Sequence, residues 1–99
     1  MKIIVNREQE KLTLRVEGRL DTMTSPQLER ELGEGLEKVQ ELTLDFTSLE
    51  YISSAGLRVL LAAHKQMLRQ EGRLVVRGVN EVVREALAIT GFLDMLHME

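Results

Sequence analysis

Two adjacent serines and a nearby glycine are the residues of this chain whose types and spacing could carry chemistry. They lie in the run YISSAGLRVLL, residues 51–61, as Ser53, Ser54 and Gly56. The run stands where an apolar strand region gives way to an apolar helix. A hydroxyl at a helix start can accept a phosphate, because free backbone N–H groups and the positive end of the helix dipole favour the added charge. Read as the N-cap, Ser54 presents its hydroxyl to those donors. Gly56, without a side chain, leaves room for another molecule to approach. The same residues also make an ordinary cap and a packing glycine, and spacing alone favours that plainer role because serine caps are common. Asp21 follows a strand end in the same way. In an open α/β sheet, ligands collect outside the carboxyl ends of the strands, so Asp21 reads either as part of the same rim or as a simple loop aspartate. Asp45, between Leu44 and Phe46, reads as an acceptor that organises the loop after its strand.

Other chemistries find little support. His64 and His97 have no Cys, His or carboxylate partner at metal-ligand spacing and read as structural or solvated. A Ser-His-acid set lacks the G-x-S-x-G elbow, and His64 falls on an inward helical stripe. Neither G-x-x-x-x-G-K-[ST] nor G-x-G-x-x-G occurs. Met1, Met23, Met67, Met95 and Met98 are too scattered to form a groove. The pattern is that of a non-enzyme with no cofactor and no metal.

The bulk composition bounds the rest. Ninety-nine residues, 43% hydrophobic and 29% charged, make one domain with a real core. With only Phe46, Phe92 and Tyr51 aromatic, that core must be Leu, Val, Ile and Met. The absence of cysteine excludes a disulfide scaffold and suits a reducing compartment. A net charge of −3 argues against nucleic acid as the main partner. No apolar run approaches the roughly 20 residues of a membrane span, and the early Lys2 and Arg7 are wrong for a secretory signal, so a cytoplasmic place is expected.

The elements that must position these residues follow from periodicity. Ile3 to Val5 reads as a short strand, and Leu12, Leu14 and Val16 alternate with polar residues as a half-buried strand closed by Gly18. Ser25 as N-cap and Pro26 at the first helical position open a helix with Leu28, Leu32, Leu36 and Val39 inward, weakened by Gly33 and Gly35. Leu42, Leu44 and Phe46 form a strand, and residues 47–55 a loop. A long helix runs from Gly56 to Gln70 with Leu57, Leu60, Leu61, His64 and Leu68 on one side and Gly72 in its C-cap. Leu74 to Val76 is a strand buried on both faces. Asn80 caps a helix carrying Val82, Val83, Ala86, Leu87 and Ile89, Gly91 ends it, and Leu93 to Met98 adds a last strand. The order β-β-α-β-α-β-α-β implies an α/β fold with parallel central strands and an antiparallel first pair.

The stretch LTLDFTSLEYISSAGLRVLL, preceded by VEGRLDTMTSPQLE and followed by GRLVVRGVNEVVREALAITGF, resembles the STAS domains of anti-sigma factor antagonists over nearly the whole chain. The resemblance implies a single STAS-type domain, residues 1–99, with a mixed central sheet and helices packed mainly on one side. It implies phosphorylation of Ser54, the serine two positions before the family's glycine, here Gly56, by a partner that is both anti-sigma factor and serine kinase. A PP2C-type phosphatase would reverse it. Asp21 matches the aspartate of the family's G-x-L-D loop, and Asp45 the acidic position after the third strand. Partner contact is then expected from Asp21, Thr22, Met23, Thr24, Ser53, Ser54, Gly56, Leu57 and Arg58. Two departures stand out: Ser53 replaces the aspartate that many members carry there, which leaves a second acceptor, and Ala55 replaces a common Ser or Thr. The alternative the resemblance allows is a non-switching STAS scaffold or a transporter-associated STAS subunit.

Overall fold

The computed structural model describes residues 1–99. Its elements are β1 (Lys2–Glu8), β2 (Lys11–Leu20), α1 (Ser25–Gly35), β3 (Glu41–Asp45), β4 (Leu49–Ile52), α2 (Ser54–Arg69), β5 (Arg73–Arg77), α3 (Glu81–Ile89), α4 (Phe92–Met95) and β6 (His97–Met98). The sheet runs β1-β2-β3-β5-β6, with β4 also beside β2. Only β1 is antiparallel to its neighbour; the other pairings are parallel.

The organising strand is β2. Its alternation buries Leu12, Leu14, Val16 and Leu20 on one face, and the register carries that face onward through Leu42 and Leu44 of β3 to Leu74 and Val76 of β5. The helices supply the other side of the core through Leu28, Leu32, Leu57, Leu60, Val83 and Leu87. The opposite sheet face, with Arg15, Thr43, Asp45 and Arg77, is polar and half or fully exposed. Val75, at 1% exposure, is the buried exception there, and β5 is buried on both faces as its composition implied.

Gly18, expected to close β2, does not end it: the strand continues to Leu20. Gly18 adopts φ +101 at a register shift and donates its N–H to the Ser48 carbonyl at 3.0 Å. Glu50 of β4 is the extra residue at this shift, and a backbone angle suited to glycine at Gly18 lets one edge of β2 pair first with β3 and then with β4. The segment expected as a loop over 47–55 therefore contains a strand, β4.

The N-caps of α1 and α2 each lie one residue before the serine expected there. Thr24, not Ser25, is the N-cap of α1; Ser25 is its first residue and its buried hydroxyl donates to the Asp21 carbonyl at 2.5 Å. Leu36 and Val39 lie beyond the end of α1 yet remain in the core. The inward face of α2 is Gly56, Leu57, Val59, Leu60, Ala63 and Met67, so Leu61 and His64 are only half buried and Leu68 is exposed. At the end of α2, Glu71 takes the left-handed conformation assigned to glycine by expectation. The Glu71 and Gly72 N–H groups donate to Leu68 and Met67 carbonyls, the paired closure that satisfies a helix end. Gly72 is needed for space instead: a Cβ there would lie 2.7 Å from Met67 Cε and 2.8 Å from the Gln40 carbonyl oxygen.

At the C-terminal end, Asn80 caps α3 as expected, accepting from the Val83 N–H at 2.8 Å. Val83 and Leu87 face inward, whereas Val82 and Ile89 face solvent. The expected strand over 93–98 begins instead with the short helix α4, which buries Phe92, and only His97 and Met98 pair with β5.

Candidate functional site

The serines and Asp21 meet because β4 lies beside the end of β2. Leu20 is in register with Ile52, and the next residue on each strand, Asp21 and Ser53, leaves the sheet at the same carboxyl rim. The Ser53 N–H donates to the Leu20 carbonyl at 2.8 Å, which fixes the start of α2 against the Asp21 loop. Gly56 completes the junction. A Cβ at Gly56 would stand 2.8 Å from Leu20 Cγ and 2.9 Å from Ile52 Cγ1. Its missing side chain serves packing within the chain, not access for another molecule. Gly56 and Leu57, both expected to meet a partner, are instead buried against the core and offer no contact surface.

The two serines divide the roles that sequence reading assigned to one. Ser53 is the N-cap: its backbone is extended, with ψ 176, and its hydroxyl accepts from the Gly56 N–H at 3.5 Å. Ser54, expected as the cap, is the first residue of α2, and it is exposed. Its hydroxyl takes no part in the side-chain hydrogen bonds of the fold. Arg58, one turn further along α2, is also exposed and makes no ion pair. A hollow of about 280 Å³ between the first turns of α1 and α2 is lined by Thr22, Ser25, Pro26, Glu29, Arg58 and Val59, with Ala55 at its edge.

The Asp21–Thr24 loop is a self-contained turn. Asp21 Oδ1 accepts from the Met23 and Thr24 N–H groups at 3.0 and 3.1 Å. The Thr24 hydroxyl accepts from the Asp21 N–H at 2.9 Å and donates to the Arg19 carbonyl at 2.7 Å. The Thr24 amide foremost holds the Asp21 carboxyl below its ordinary pKa; partial desolvation opposes this, and the Thr24 hydroxyl, the Met23 amide and Arg19 reinforce it. Asp21 is thus an ionised loop organiser whose Oδ2 stands 4.0 Å from Arg19 Nε. At the tip, Met23 is 87% exposed, an apolar side chain offered to solvent.

Asp45 does what its position implied. Its Oδ1 accepts from the Thr47 N–H at 3.0 Å and the Thr47 hydroxyl at 2.6 Å. Burial works to raise its pKa, but the Thr47 hydroxyl and amide and the Arg77 guanidinium outweigh it and hold the carboxyl low. Arg77 was not anticipated; it faces Asp45 Oδ2 at 3.5 Å because β3 and β5 pair Asp45 with Arg77. Arg19 was also missed. It lies over the Tyr51 ring at 4.3 Å, where the parallel register sets the two side by side. His64 and His97 share a shallow hollow with Leu68 and Met95, and no group of three or more His, Asp or Glu is placed to hold a metal ion. No helix is long and apolar enough to cross a membrane.

The rim, the sheet order and the one-sided helices have counterparts. A model of the STAS domain matches residues 2–99. The chain is 36% identical over 96 residues to the Bordetella bronchiseptica protein BtrV, which is named a candidate anti-sigma factor antagonist; the match covers 96% of this chain and 83% of BtrV. It is 27% identical to the anti-sigma-B factor antagonist of Listeria monocytogenes, over 97% of this chain and 85% of that protein. In structure it superposes on the anti-sigma factor antagonist SpoIIAA in its unphosphorylated form with a TM-score of 0.81 at 17% identity, covering 99% of this chain and 87% of SpoIIAA. The phosphorylated form of Bacillus SpoIIAA gives a TM-score of 0.79 at 16% identity, over 99% and 91% of the two chains. With its whole core, rim and strand order inside that match, the chain belongs to the STAS domain family, among the anti-sigma factor antagonists.

Proposed function

We propose that the chain works by partner switching. Unphosphorylated, it binds an anti-sigma factor that is also a serine kinase, and so frees a sigma factor; phosphorylated on Ser54, it lets that partner go. The observation that carries this reading is the division of labour at α2: Ser53 holds the cap, and Ser54 stands exposed beside it with its hydroxyl uncommitted. Modification of Ser54 therefore takes nothing from the fold. The added group would meet the free N–H groups and positive end of a 16-residue helix, which favour it.

The contact surface in this reading is the Asp21–Thr24 loop with its exposed Met23, the Ser54 rim and Arg58. Phosphate adds about −1.5 to −2 charges at pH 7. Placed inside a contact that excludes water, an unpaired charge of that size costs about 2–5 kcal/mol, enough to dissociate a micromolar complex. No refolding is needed. A PP2C-type phosphatase restores the binding form, and the chain itself is a regulatory binding protein of the cytoplasm, not a catalyst. That SpoIIAA is known in both an unphosphorylated and a phosphorylated form lends the reading support.

The test is to incubate the chain with native cell extract and ATP and to map phosphate by mass spectrometry. Phosphate on Ser54, lost in Ser54→Ala and kept in Ser53→Ala, is the expected result. Phosphate on Ser53 alone would overturn the assignment.

A further inference from the structure

The sheet ends on one side in β6, only two residues long, and on the other in β1, seven residues long. Six of the seven β1 residues are exposed, and Ile4 and Val5 are 42% and 49% exposed despite being large and apolar. Natural sheet edges are ordinarily cut short, charged, or interrupted by proline or a bulge, since an open edge offers unpaired N–H and C=O groups to another strand. In β1 the pairing with β2 runs unbroken from Lys2 opposite Glu17 to Glu8 opposite Lys11, with no proline and no bulge.

We propose that β1 pairs antiparallel with β1 of a second copy of this chain, centred on Val5. The charges select that register. Centred on Val5, Lys2 of one copy stands opposite Glu8 of the other, twice over by symmetry. Centred one residue either way, on Ile4 or Asn6, neither charge finds an opposite one within the strand. Both faces of the joined sheet then match. On the polar face the row reads Glu17, Lys2, then Glu8, Lys11, Glu41 and Arg73 of the second copy, alternating in sign across six strands. On the helix-covered face Leu44, Leu14 and Val5 meet Val5, Leu14 and Leu44 of the second copy, one apolar row through the twofold axis. In the same step Val5 gains Val5 of the second copy as a cross-strand neighbour and Ile4 gains Asn6. A twofold contact of this kind is closed, so it yields a dimer and no fibre. The rim of Ser54 and Asp21 belongs to strands and helices other than β1, and this inference does not rest on the switching reading.

The chain has no cysteine, which allows a direct test. Directly opposed residues of an antiparallel pair have Cα atoms about 4.5–5.5 Å apart, inside the range of about 4.4–6.8 Å that a disulfide spans. Under oxidised glutathione, Val5→Cys should form a linked dimer roughly tenfold faster than Ile4→Cys or Asn6→Cys alone, since only residue 5 faces itself. Mixing Ile4→Cys with Asn6→Cys should restore fast linkage, because those two positions face each other. In sedimentation equilibrium the native chain should double its 11.3 kDa mass as concentration rises, and Val5→Lys should abolish the doubling. Val5→Cys linking no faster than Met23→Cys, fastest linkage by Ile4→Cys alone, or a native mass that stays at 11.3 kDa at every concentration would each overturn the proposal.

Discussion

The backbone N–H of Ser53 donates to the carbonyl of Leu20 at 2.8 Å, and this bond makes one rim of two segments 33 residues apart in sequence. Everything proposed for Ser54 and the Asp21 loop depends on that junction between β2 and α2.

The junction is tightly filled, so Gly56→Ala should destabilise the fold by about 1–3 kcal/mol, the usual range for overpacking. The new methyl would press Leu20 and Ile52 at under 3 Å. Urea midpoints would register the loss; a midpoint unchanged from the native chain would mean that the junction has slack.

The two serines should separate cleanly in stability. Ser53→Ala removes a cap and should cost about 1 kcal/mol. Ser54→Ala removes a hydroxyl with no partner in the fold and should leave the midpoint within experimental scatter of the native one. The reverse order would place the cap where the sequence alone suggested.

Leu44 is fully buried in the central strand β3. Leu44→Ala should lose about 2–5 kcal/mol, as large-to-small core changes do. Equilibrium denaturation is the measurement.

Asp21 and Asp45 both have folded-state pKa values below the ordinary carboxylate value. Each therefore adds stability above the unfolded-state pKa of about 3.9, and that stability is lost as pH falls through the lower folded value. Urea midpoints should be flat near neutrality and drop on the acid side of about pH 4. In Asp45→Asn the drop should be shallower, because no carboxylate there is left to protonate. Asp21→Asn keeps an acceptor for the Met23 and Thr24 amides and should stay folded while weakening partner binding. If it binds normally, the Asp21 carboxylate serves the loop alone.

Much of this arrangement was legible in residue types. The alternation of Leu12, Leu14 and Val16 against Lys11, Thr13 and Arg15 gave the organising strand, and Asn80 with Val83 and Leu87 gave α3. What stayed hidden has physical causes. In β4 the buried residues are Leu49 and Ile52, three apart, because Glu50 is an extra residue in β4 at the shift opposite Gly18 and Arg19; a period of two could not reveal it. Two neighbouring serines are chemically alike, and only the extended backbone at Ser53 decides which one caps. Glu71 shows the converse: a non-glycine residue takes φ 56 because it follows the C-cap in the closure of α2, while Gly72 beside it is needed for space against Gln40. The Asp21 rim was expected from strand ends, but its binding to Thr24 and Met23 amides is a property of the folded loop.

Phosphate on Ser54 should release the partner without disturbing the fold. This is tested most directly by installing phosphoserine at position 54 during synthesis and comparing that protein with the unmodified chain. Each is immobilised in native extract, and the captured proteins are identified and quantified. The unmodified chain should retain an ATP-binding serine kinase of the anti-sigma type. The phosphorylated chain should retain at least roughly tenfold less, in keeping with a loss of 1.4 kcal/mol or more, while its urea midpoint stays at or above the native value. Equal capture by both forms, with both folded, would contradict the account.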